Sequence, residues 1–151
     1  MTLQLWIAVL IGLAASAEDL LRRQISNWIP IAALAGGLLW QVVENGWWGV
    51  VAALLGAASG FGIFLVFYLL GGMGGGDVKL MAGFGALLGA GALLEAALWT
   101  AICGALLAVA VLGADWIRRR RSAGGSSRAV QSIPYAPAIT MGVWLTLLAK
   151  A

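Results

Sequence analysis

Long apolar stretches alternate with short polar ones along this chain. Apolar residues run from Leu3 to Ala17, from Trp28 to Val43 and from Trp48 to Leu70. A glycine tract, 71–76, follows and ends at Asp77. From Leu80 to Ala114 the chain is apolar, broken only by Glu95 and Thr100. That stretch is too long for one span of about 20 residues. Gly89-Ala90-Gly91 is its natural turn, so it predicts two helices, the first of them short. A polar segment, 115–132, then precedes a last apolar run from Ile133 to Ala149. The pattern predicts an all-α, polytopic integral membrane protein with six transmembrane helices, forming one membrane-embedded domain over residues 1–151.

Composition supports the same class. Of 151 residues, 62% are apolar and 10% charged, and the mean hydropathy is +0.98. A soluble domain carries about 25% charged residues. A soluble fold of this length could not bury so much apolar surface. The 22 glycines agree, because glycine is more frequent in membrane helices than in soluble ones.

Charge then sets the expected orientation. Arg22 and Arg23 fall in the first connection, Lys79 in the third, and Arg118, Arg119, Arg120, Arg121 and Arg128 in the fifth. Eight of nine basic residues thus share one side, and Lys150 lies on the other. The positive-inside rule makes the odd connections cytoplasmic and puts both termini outside. Trp28 and Trp116 fall at the inner boundary, and Trp6, Trp40, Trp47 and Trp48 near the outer one, as lipid anchors do. The basic residues read as topology determinants, and no nucleic-acid partner is expected. Ala15-Ser16-Ala17 imitates a signal-peptidase site, but no basic segment precedes it and two arginines follow it, so cleavage there is not expected.

Absences remove several chemistries. With no histidine, Ser-His, Cys-His and His-based zinc mechanisms are excluded. The single cysteine, Cys103, sits in an apolar run and reads as a buried inert thiol.

Six carboxylates remain, and each needs a reason near a bilayer: Glu18, Asp19, Glu44, Asp77, Glu95 and Asp115. Glu44 and Glu95 read as solvated caps in short outer loops. Asp115 balances the arginines after it. Glu18 and Asp19 close the first helix, and Asp77 follows the glycine tract on the same side. Topology therefore puts Asp19 and Asp77 at one membrane depth. If they converge they can share one proton, since adjacent like charges cannot both ionise. The ionised member then takes a proton from water while the other polarises a peptide carbonyl. The alternative is two unrelated helix-end charges. Residues 71–79, GGMGGGDVK, sharpen the first reading. A glycine-rich backbone at membrane level belongs where it is buried in protein or lines a watery cavity. It also lets another backbone approach Asp77 closely. No Gly-Lys-Ser/Thr follows, which argues against a phosphate loop; a plain connector is the other rival.

Gly74-Gly75-Gly76-Asp77-Val78-Lys79-Leu80-Met81-Ala82 resembles the GxGD block of the prepilin peptidases, polytopic aspartic proteases that remove the leader from type IV pilin precursors. Asp19, followed by Arg22, Arg23, Ile25, Ser26 and Asn27, resembles the family's first block, with Ser26 where the family usually has Pro. Ile133-Pro134-Tyr135-Ala136-Pro137-Ala138-Ile139 resembles the opening of its last helix. The resemblance implies a GxGD-type aspartic protease architecture with Asp19 and Asp77 as the catalytic pair and no metal or cofactor. It implies that Gly74, Gly76 and Lys79 form the loop beside the substrate backbone. Arg22 and Arg23 either keep Asp19 ionised or only set topology, the second being favoured. Lys79 either favours the charged Asp77, contacts lipid phosphate or binds an acidic substrate residue. The implied partners are membrane-inserted prepilins and pseudopilins together with the lipid bilayer. The implied location is the bacterial inner membrane, with cleavage at its cytoplasmic face. Lacking a cysteine-rich insertion, the chain looks like the short peptidase-only type found with Tad/Flp pili. Two rival readings are a small proton-coupled transporter and a non-catalytic pilus-assembly scaffold.

Overall fold

A computed structural model describes residues 2–121 and 135–150, with the side chains of 115 and 117–121 excepted. Five helices follow in order: α1 (Leu3–Arg22), α2 (Trp28–Asn45), α3 (Trp47–Leu69), α4 (Gly75–Arg121) and α5 (Ala136–Leu148). Helices are the expected solution for these runs, because in lipid each backbone polar group must be satisfied within its own segment. α1, α3 and the stretch Gly75–Ala114 of α4 are long and apolar enough to cross a membrane, and α5 is apolar but shorter. This is an all-α membrane protein.

Where six helices were expected, α4 runs through the turn region as one element with a single non-helical residue. Gly89 has φ 72° and ψ 166°, a backbone open mainly to glycine, and it divides α4 into two limbs. The break thus falls on the first residue of the expected 89–91 turn. Gly46 alone separates α2 from α3, with φ 57° and ψ −138°. Other connections are also shorter than expected. α1 continues through Glu18 and Asp19 to Arg22, and α4 begins at Gly75, so Asp77 and Lys79 are helical. Glu44 and Glu95, expected in loops, are helical residues of α2 and α4. α4 also continues through the first part of the expected 115–132 loop. The remainder of that loop, with Arg128, and Ile133 and Pro134 lie outside the described residues.

The core gathers on the first limb of α4, where Leu80, Met81, Phe84 and Leu87 are almost wholly buried. This limb packs against α2 and α3, the second limb meets α5 where Gly142 lies against Thr100 and Ala96, and α1 lies across α5 and α2. Large residues mostly face outward: Leu10, Leu13, Leu21 and Leu39 are all exposed. Small residues face inward, as expected where lipid gives helices no hydrophobic reason to associate and close packing must do so. Small-residue faces of α3 and α4 meet each other. A Cβ at Gly56 would strike the Gly85 carbonyl, and one at Gly85 would strike the Gly56 carbonyl. Trp28, Trp47 and Trp48 are exposed, as anchors in an interface would be, whereas Trp40 is half-buried against the core. Cys103 is half-buried and unpaired.

Candidate active site

One end of the bundle collects the last turn of α1 and the first turns of α2, α4 and α5. α1 stops because Arg23 takes up a left-handed conformation, φ 52° and ψ 29°, while its N–H still donates to the Asp19 carbonyl at 2.8 Å. The chain turns back at once. Ser26 donates its N–H (2.8 Å) and its hydroxyl (2.6 Å) to the two carboxylate oxygens of Glu18. A proline at that position has no N–H to give, so here hydrogen bonds restrain the loop. Glu18, expected only to close the first helix, is the anchor of that loop. Arg22 approaches Glu18 at 3.8 Å but is three-quarters exposed, a pairing worth little. Arg23, by contrast, lies within electrostatic reach of Asp19.

Asp19 is buried, at 8% exposure. Its Oδ2 accepts the backbone N–H of Ala136, the first residue of α5, at 3.1 Å. Asp77 is also buried, at 6%. It sits in the first turn of α4, and its Oδ2 accepts the N–H of Gly74 at 3.2 Å, which is the acidic half of a capping box. Its Oδ1 is buried and has no hydrogen-bond partner among the described residues. Nearly all buried polar atoms are paired, so an unpaired carboxylate oxygen marks a place to look for chemistry. Asp19 and Asp77 are near enough for the charge of Asp19 to act on Asp77. Two carboxylates 58 positions apart in sequence are thus both buried at this end of the bundle.

The other motif residues are placed as follows. Gly74 supplies the amide to Asp77. Gly76 lies under Ile25 of the first block: a Cβ there would come within 3.1 Å of the Ile25 Cβ. Gly76 therefore admits a side chain of this chain's own loop. Lys79 is exposed, and its Nζ donates to the Asn27 side chain at 2.9 Å, tying α4 to the start of α2. Lys79 is thus engaged with a residue that sequence reading named only as part of a motif. Sequence reading also missed the Ala136 amide, Ser16 and Thr140. The last two had a signal, since hydroxyls are rare in these apolar helices and commonly bridge them.

The sequence profile of the Type IV leader peptidase family matches residues 6–109, a stretch that includes both aspartates. The chain belongs to this family. A relative in the same family, the prepilin leader peptidase/N-methyltransferase of Bacillus subtilis (strain 168), is 37% identical over 99 residues. That segment is 64% of this chain and 36% of the relative, so the chain matches about a third of the relative's length. No solved structure matches the chain. In this member of the family the two buried aspartates are the feature that calls for a chemical account.

Proposed function

We propose that this chain is a membrane-embedded aspartic endopeptidase that removes the leader of type IV, Flp-type prepilins and pseudopilins. The observation that carries the reading is the pair Asp19 and Asp77, both buried and presented by separate helix ends. One carboxylate takes a proton from water, and the resulting hydroxide adds to the scissile carbonyl while the other, protonated, donates a hydrogen bond to that oxygen. Collapse then breaks the C–N bond, and a carboxyl group passes the proton to the departing amine. Water supplies the oxygen, and no covalent enzyme intermediate or redox step is required.

The proposed setting is the bacterial inner membrane. In the proposed topology there are six spans, counting the two limbs of α4 separately, with both termini outside and the aspartates at the cytoplasmic face. The sorting of basic residues supports this orientation. Such a site suits a substrate whose basic leader lies in the cytoplasm and whose apolar helix shares the bilayer. Gly74, Gly76 and Lys79 then frame the approach to Asp77. Arg23 acts on Asp19, while Arg22 serves topology.

Co-expression with a pilin precursor tests the proposal. Wild type should shorten the precursor, and Asp19→Asn and Asp77→Asn should leave it full length. Shortening by either variant would remove the acidic pair from the mechanism. A full-length precursor with wild type would favour the scaffold reading.

A further inference from the structure

The first amides of a helix have no partner within the helix. Tyr135, at the N-cap of α5, makes no side-chain bond to them. The Ala136 amide instead reaches a carboxylate 117 positions earlier in the chain. Asp19 is therefore a cap supplied to α5 by α1, and its orientation depends on how α5 is docked.

That docking has a regular polar pattern. On α5 the contacts fall at 136, 140 and 144, one turn apart on a single stripe. Ala136 meets Asp19. The hydroxyl of Thr140, which is 2% exposed, donates to the Ala136 carbonyl at 2.8 Å, lies 3.3 Å from the Gly12 carbonyl and 3.1 Å from the Ser16 hydroxyl. Trp144 donates its indole N–H to the Ala8 carbonyl at 3.0 Å. A hydroxyl has one proton to give. Thr140 spends its proton on the Ala136 carbonyl at the shorter distance, which leaves Ser16 to donate to Thr140. Ser16 is three residues before Asp19 and so on the same face of α1. The rung next to the carboxylate is thus built from the same two residues' neighbours: Thr140 holds the Ala136 peptide, and Ser16 holds Thr140.

We infer that Thr140, supported by Ser16, is a positioning residue that sets the register of α5 so that the Ala136 amide aims at the Asp19 carboxylate. Thr140 touches neither substrate nor water in this scheme and acts through Ala136. The inference rests on the reading of Asp19 as part of the catalytic pair. It adds that the last helix contributes a backbone amide to that pair.

The test uses the full-length protein in membranes and a pilin precursor that wild type shortens. Thr140→Val keeps the shape and removes the hydroxyl, and Thr140→Ser keeps the hydroxyl and removes the methyl group. Misplacement of a reacting group by about 1 Å costs up to about 100-fold in rate. Thr140→Val should therefore lower kcat by roughly 10-fold or more with KM unchanged, and Thr140→Ser should restore kcat to within a few-fold of wild type. Ser16→Ala should fall between them. Wild-type kcat in Thr140→Val would overturn the inference. So would equal losses in the Val and Ser variants, which would assign Thr140 to packing. Asp19→Asn is run alongside. If Asp19→Asn is inactive while Thr140→Val is fully active, only the positioning role fails. If Asp19→Asn still cleaves, the reading of the site fails first.

Discussion

The two ends of the first limb of α4 handle buried polarity in opposite ways. At Gly89 the helix breaks, and the Leu87 carbonyl loses its regular partner further along the helix. Two neutral amides cover it: Gln4 from α1 at 2.9 Å and Gln41 from α2 at 3.2 Å. Asn45 in turn donates to the Gln41 oxygen at 2.9 Å. Ten residues earlier, about 15 Å by helical rise, Asp77 brings a titratable group into burial beside a second one. There one carboxylate oxygen has no partner among the described residues. Burying a polar group is costly unless it is hydrogen-bonded. The Gly89 end meets that cost with saturated, uncharged groups and gains a fixed bend. The aspartate end leaves it partly unmet, as sites that do chemistry often do. The difference sets a neutral, fully paired polar cluster against a titratable, partly unpaired one without reference to motifs.

Substitutions can break or sharpen this contrast, and the aspartates come first. Asp19→Asn and Asp77→Asn should each lower precursor cleavage by about 1,000-fold or more, since general acid–base groups contribute 10²–10⁴-fold and the two act as a unit. The helical circular dichroism of both variants should match wild type. If cleavage survives, the aspartate end is as structural as the Gly89 end.

Gly85→Ala should act on the whole bundle. The added methyl group meets the Gly56 carbonyl across the α3–α4 contact. Overpacking of this kind costs about 1–3 kcal/mol. Thermal unfolding of the detergent-solubilised protein should move to lower temperature, and an unchanged midpoint would show that the two helices can part freely.

Gln41→Leu should cost about 1 kcal/mol, because Gln4 still covers the Leu87 carbonyl. Activity per folded molecule should stay at the wild-type level. A selective fall in kcat would mean that the Gly89 end communicates with the aspartates, and the contrast would fail.

The smallest effect is expected for Glu95→Gln. Its pairing with Lys150, 3.0 Å apart, is about half exposed on both partners. Such pairs contribute about 0–1 kcal/mol. A larger loss in thermal stability would show that the second limb of α4 and the end of α5 depend on this contact.

Much of this was legible in the sequence, for identifiable reasons. The helices follow from apolar runs, and the break follows from glycine at 89–91, because both depend on local chain chemistry. Asp19 and Asp77 stand out because charge is rare here. Glu95 was misjudged as a loop residue because a helix can carry an exposed, paired carboxylate without interruption. Glu18 was misjudged because its partner Ser26 becomes available only after Arg23 turns the chain. The Ala136 amide was invisible for a different reason: it is a backbone group, and every residue type except proline has one.

Hydropathy is local and additive, and by itself it determined that this chain is a helical membrane protein whose few charges gather at helix ends. Its motifs carried the family resemblance. What only tertiary structure decided is the company each polar group keeps: Ala136 beside Asp19, Asn27 beside Lys79, Ile25 over Gly76, and Asp19 within electrostatic reach of Asp77. Those pairings depend on how α5 and α4 dock against α1 and α2. Burial and hydrogen bonding are set there by residues up to 136 positions apart, a separation no local pattern can encode.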